Sequence, residues 1–160
     1  MENKKILVAY YSKSGNTERV AKDIASRLGA DLEKIIDQKD RSGILGFIFS
    51  GRDAMKKYQT KIDQPKLDPA DYGLLAIGTP VWGGSMAPAV RTYLGLEKSK
   101  IKKLVCFETS GDTPPERMAE SVEEITEIKP LAFTGFKAKE LKDKEAYQKK
   151  WIVSRILLKE

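Results

Sequence analysis

The sequence predicts an α/β domain built in three layers, a five-stranded parallel sheet with helices on both faces. Two observations carry this. Short β-rich runs alternate with longer amphipathic stretches along the chain, the pattern of strands joined by helical crossovers. The 160 residues, 41% of them hydrophobic, supply one substantial core, so 1–160 reads as a single domain.

Ile6 to Tyr10 is the first strand, its unbroken apolar run suiting a strand covered on both faces. A helix follows, with Val20, Ile24 and Leu28 every four residues and Gly29 as its stop. Asp31 to Ile36 is a short, polar strand expected near an edge. In 37–72, Gly43, Gly46 and Gly51 interrupt a dense apolar cluster of Ile44, Leu45, Phe47, Ile48 and Phe49. A helix packed on the sheet is the simpler expectation there, a patch for a partner or a membrane the alternative. Gln64-Pro65 and Asp68-Pro69 mark a loop before the third strand, Leu74 to Gly78, and its crossover helix, Met86 to Leu96. Lys103 to Phe107 is the fourth strand; Glu116 to Ile128 forms a helix with Met118, Val122 and Ile125 inward and five glutamates outward. Leu131 to Phe136 is the fifth strand, and Glu145 to Leu158 closes the chain as a helix with Tyr147, Trp151, Val153, Ile156 and Leu157 to bury.

Composition narrows the chemistry. A single cysteine, Cys106, and no histidine remove Cys/His zinc sites, cysteine-held clusters and every imidazole-based nucleophile, so no metal is expected and no catalytic side chain is nominated. The net charge of +6 is evenly spread, 14 basic against 11 acidic residues in 1–80 and 15 against 12 in 81–160, which argues against a nucleic-acid arm. No apolar run approaches the ~20 residues of a membrane span. No signal-peptide pattern precedes Ile6, and a cytoplasmic location is the expectation.

Ligands of open α/β sheets bind beyond the carboxyl ends of the strands. There the chain carries Ser12-Lys13-Ser14-Gly15-Asn16-Thr17, small and hydroxyl-bearing residues between a strand and a helix start. Backbone N–H groups and hydroxyls at such a place suit a phosphate, with Gly15 allowing close approach, although the same residues also suit an ordinary helix cap. No Gly-x-x-x-x-Gly-Lys-Ser/Thr loop and no Gly-x-Gly-x-x-Gly turn competes. A receiver domain would need an aspartate where Tyr10-Tyr11 stands, and a cysteine phosphatase an arginine where Asp112 stands.

The stretch Tyr11 to Thr17 resembles the phosphate loop of the flavodoxin family, and the succession of strands and crossovers resembles the short-chain flavodoxin-like fold over essentially the whole chain. That resemblance implies flavin mononucleotide (FMN) as cofactor. It also makes Thr79, Pro80, Val81, Trp82, Gly83 and Gly84 the first loop around the flavin ring, and Thr109, Ser110, Gly111 and Asp112 the second. Trp82 suits stacking on a flat ring, with a core or lid tryptophan as its plainer role. Gly83 and Gly84 resemble the glycines whose peptide turns over in flavodoxins on reduction.

Two departures bear on function: the chain is basic where typical flavodoxins are acidic, and Glu108 to Pro115 lacks a second aromatic residue. An open flavin face favours hydride exchange with a stacked nicotinamide or quinone, and a basic setting raises the flavin potential. The resemblance itself implies a redox protein carrying electrons between protein partners. The alternatives are an NAD(P)H-dependent oxidoreductase acting on a small-molecule acceptor and a non-redox interaction domain of the same fold.

Overall fold

The computed structural model describes residues 3–157, with side chains through residue 150. Strands β1 (Ile6–Tyr10), β2 (Asp31–Lys34), β3 (Leu74–Trp82), β5 (Leu104–Ser110) and β6 (Phe133–Lys137) form a parallel sheet in the order β2-β1-β3-β5-β6. The two-residue β4 (Ser85–Met86) pairs antiparallel with the end of β3. Helices α1 (Asn16–Leu28), α2 (Gly43–Met55), α3 (Pro88–Glu97), α4 (Pro115–Thr126), α5 (Ala138–Lys142) and α6 (Lys144–Leu157) complete the chain.

Side chains alternate across each strand, so every strand feeds two cores. Leu7, Leu75, Ile77, Leu104 and Cys106 pack under α3 and α4, meeting Val90, Leu94, Met118 and Val122. Val8, Tyr10, Val105, Phe107 and Phe136 face α1, α5 and α6, meeting Val20, Ile24, Leu141 and Tyr147. This is the expected three-layer arrangement. Gly29 ends α1 in the left-handed region, Pro88 and Pro115 occupy the first turns of α3 and α4, and the five glutamates of the α4 segment are exposed. The burial expected of Trp151, Val153, Ile156 and Leu157, and the helix end at Leu158, fall outside the described side chains and residues.

The register fixes where the loops go. Tyr10 lies beside Gly78, and Pro80 beside Thr109, so the carboxyl ends of β1, β3 and β5 are neighbours. Strand order steps one way from β1 to β2 and the other way through β3, β5 and β6, so the switch point of the sheet lies between the parallel strands β1 and β3.

Helix α2 departs from expectation. It forms, but its apolar residues do not pack on the sheet: Ile44 is 81% exposed, Leu45 68%, Phe47 73% and Ile48 55%. The helix instead buries Gly46, Ser50, Asp53 and Ala54. The cause is a buried ion network. Arg41, 4% exposed, donates from Nε to Asp37 at 2.6 Å and from Nη1 to Asp53 at 3.1 Å, while Lys39 and Arg52 reach Asp53 at 2.6 and 2.7 Å. Burial opposes the charge of Asp53, yet these three cations outweigh it and hold the carboxyl well below its usual range. Gly46 lies flush on the Arg41 backbone, where any side chain would collide.

Replacing Arg41 with Met should therefore cost about 3 kcal/mol, because it strands buried carboxylates. It should also raise proteolytic cleavage within residues 43–55 relative to the sheet core. Urea denaturation and limited proteolysis measure the two effects.

Candidate functional site

The loop after β1 is closed by Gly15, which caps α1 in the left-handed region at φ 97° with no side chain bonded to the helix amides. That geometry sets aside an ordinary serine or asparagine cap. The helix amides of the first turn point outward at the positive end of the helix dipole. Ser12 Oγ accepts from the Gly15 amide at 3.1 Å and braces the loop, while Lys13, Ser14 and Asn16 are exposed around it. Glu18, in the same first turn, is drawn off by the Tyr10 hydroxyl at 2.8 Å and Lys34 at 3.3 Å, and those contacts lower its pKa. Thr17 is buried and shares a 2.7 Å hydrogen bond with Thr109, tying this loop to the end of β5.

Beyond Gly78, β3 continues as an extended strand instead of breaking into a loop. Val81 and Trp82 pair with Met86 and Ser85 across the two-residue turn Gly83-Gly84, with φ 56° and 76°. Two positive φ values define the tight type I′ hairpin, so Trp82 is presented by a fixed turn. Its ring meets Tyr11 edge-on, centroids 5.7 Å apart at 87°, with Lys13 at 6.0 Å and Arg41 at 5.8 Å from its centre. Burial pushes the Tyr11 phenol up to about 12, keeping it neutral.

A groove of about 800 Å³ runs between this hairpin and α2. Lys13 and Ser14 line it from the first loop, Pro80, Val81, Trp82 and Gly83 from the second, and Phe47, Ile48 and Met55 from α2. The structure thus brings two of the three sequence-predicted loops onto one cavity. Thr79 lies beneath it, its hydroxyl accepting from the Ala87 amide at 3.0 Å to seat α3. Gly84 packs against the Arg117 guanidinium.

The third segment touches the first through Thr109 but does not line the groove. Thr109 and Ser110 belong to β5; Gly111 and Asp112 are exposed, and Asp112 is ion-paired to Lys137, which lowers its pKa. The α2 wall and Arg41 were not among the sequence-predicted site residues. Of Gly43, Gly46 and Gly51 only Gly46 lies against a neighbour, the Arg41 backbone, so the glycine spacing did not point to the wall, and Arg41 carried no signal.

Beneath the third segment lies Glu108, 1% exposed. Ser110 Oγ approaches Oε1 at 3.3 Å, Oε2 has no partner among the described residues, and Gly135 and Pro115 close over the carboxyl. Burial first, then Glu116, raise its pKa to about 7 against the lowering effects of Ser110 and Lys150.

The flavodoxin family's sequence profile matches residues 5–152. The chain belongs to the flavodoxin family. Among solved structures, this flavodoxin-family chain is similar to a flavoprotein from Lactobacillus acidophilus in complex with FMN, at 25% identity and TM-score 0.72, covering 82% of this chain and 93% of that one. A Bacteroides uniformis chain described as a flavoprotein superposes with TM-score 0.74 at 20% identity, over 94% of this chain and 98% of that one. A flavodoxin from the Archaea gives 0.51 at 15%, over 96% and 98%, a likeness of fold. Among curated proteins, none matches the chain.

The buried Glu108 carboxyl makes stability depend on pH in a defined direction. Its folded pKa lies above the unfolded value, so its contribution is fully present below about pH 4.5 and is lost as pH rises to about 7. Comparing the Glu108→Gln variant with the parent by denaturant midpoints between pH 4.5 and 8 should show this segment of the decline removed, a difference on the order of 1–3 kcal/mol.

Proposed function

We propose that this chain is an FMN-binding redox protein that carries electrons between protein partners. The observation that supports it is the left-handed Gly15 cap, which leaves the first-turn amides of α1 open beside exposed Ser14 and Asn16, next to a groove walled by Trp82. Those amides, with Lys13 nearby, suit the doubly charged phosphate of FMN. The groove volume falls within the range of about 300–1,000 Å³ usual for small-molecule sites. Ser12, Lys13, Ser14, Gly15, Asn16 and Thr17 form the phosphate site in this reading; Pro80 to Gly84 hold the ring, over Thr79. Thr109, Ser110, Gly111 and Asp112 act as its far border.

FMN supplies one- or two-electron exchange when bound. The chain's own residues bind and orient it. The Gly83-Gly84 turn fixes the plane of Trp82, the neutral Tyr11 phenol backs that ring, and the exposed Lys13 places positive charge beside it. The FMN complex of the Lactobacillus acidophilus protein adds to the case.

The second reading, an NAD(P)H-dependent oxidoreductase reducing quinones or similar small acceptors, is favoured by one observation: the described Glu108 to Pro115 segment has no aromatic ring to cover the far face of a flavin. A reductive titration separates the two. The carrier shows two resolved one-electron steps and negligible NAD(P)H oxidation; rapid NADPH or NADH consumption driven by a quinone would establish the enzyme.

Thr17 is buried in its bond to Thr109, so substituting it would disturb the fold, whereas Ser14 is exposed. Ser14→Glu should weaken FMN binding by on the order of 10–100-fold through charge repulsion at the anion site, with thermal stability unchanged. Quenching of FMN fluorescence on titration with protein checks the affinity. Unaltered quenching would remove Ser14 from the phosphate site.

A further inference from the structure

Helix α2 is amphipathic in the reverse sense, with polar residues inward and apolar residues outward. Ile44, Leu45, Phe47, Ile48 and Phe49 project from a helix that advances 100° per residue, so they sweep an arc of about 200° and form a convex ridge. The Arg41–Asp53 network holds the helix from the opposite side, so the ridge contributes little to the fold. An exposed ridge of this size marks an interaction surface.

Its surroundings identify the occupant. Cations stand over its rings: Lys13 is 5.7 Å from the centre of Phe47, and Lys39 and Arg52 are 5.7 and 4.7 Å from that of Phe49. Residues 39–57 carry five basic side chains against two acidic ones, within a chain of net charge +6. Two copies meeting ridge to ridge would bring these cations together. A protein interface of this size uses about one hydrogen bond per 100–200 Å² and is poor in lysine. The ridge side chains hold no hydrogen-bonding group, and Lys13, Lys39 and Lys56 stand near it. A convex apolar wedge ringed by cations matches a deformable phase with an anionic surface.

We propose that α2 docks this protein peripherally onto an anionic lipid surface. The ridge enters the headgroup boundary, and Lys56 together with the half-exposed Lys39 and Arg52, whose shared partner Asp53 is buried, faces the lipid phosphates. None of the described helices is long and apolar enough to cross the membrane, so the association is lateral and reversible. Phe47 and Ile48 also line the groove, so the part of the ridge outside it is Ile44, Leu45 and Phe49.

Vesicle co-sedimentation tests it, using the whole chain. The protein should sediment with vesicles of phosphatidylcholine and phosphatidylglycerol in equal parts, remain in solution with phosphatidylcholine alone, and be released by about 0.5 M salt. The triple substitution Ile44→Ser, Leu45→Ser, Phe49→Ser should reduce partitioning at least about tenfold at unchanged melting temperature. In a separate Leu45→Trp variant, tryptophan emission should shift to the blue on adding anionic vesicles. Absence of sedimentation with anionic vesicles, equal sedimentation with neutral ones, or retention by the triple variant would each overturn the proposal. So would a concentration-dependent dimer by light scattering that the triple variant dissolves, which would assign the ridge to a second copy.

Discussion

The contact on which the site depends is the Arg41 guanidinium between Asp37 and Asp53. Buried ion pairs contribute little net stability, because desolvation offsets most of the Coulombic gain. What this one supplies is position. Asp53 lies on α2, and drawing it inward determines which way the helix faces, which wall the groove has and which residues meet solvent. The guanidinium also stands by the Trp82 ring, so the same charge that seats α2 touches the hairpin opposite it. Both walls of the groove are thereby referred to one buried group.

The strand and helix pattern was legible because it depends on local periodicity: β1, α1 and the α4 face lie close to where apolar spacing put them. Strand ends were not. β3 runs on to Trp82 and β5 to Ser110 because Pro80 pairs beside Thr109 and Trp82 pairs across a hairpin with Ser85. Those partners are remote in sequence or hidden in a two-residue turn. The phosphate loop and Trp82 were visible as motifs, whereas the α2 wall was not. Counting apolar residues on a helix does not reveal which side turns inward when a buried arginine just before the helix, twelve residues from its partner Asp53, decides it.

The site is stiff at the points where a ligand would need it to be. Thr17 and Thr109 share a buried hydrogen bond between the start of α1 and the end of β5, Ser12 braces Gly15, and the hairpin turn has the backbone twist that flanking strands prefer. Preorganisation of this kind lowers the entropy lost on binding. Net affinity then depends on the few groups that touch the ligand more than on the area it buries.

Cys106, 4% exposed at the centre of β5, has its thiol pushed up to about 12, first by burial and then by Glu108. A thiol so protonated neither exchanges with disulfides nor takes part in electron transfer while the sheet is closed. Because it is the chain's only cysteine and lies in the strand between β3 and β6, its alkylation reports opening of the middle of the sheet. The protein thus contains its own label for global unfolding, silent to fraying at the edges.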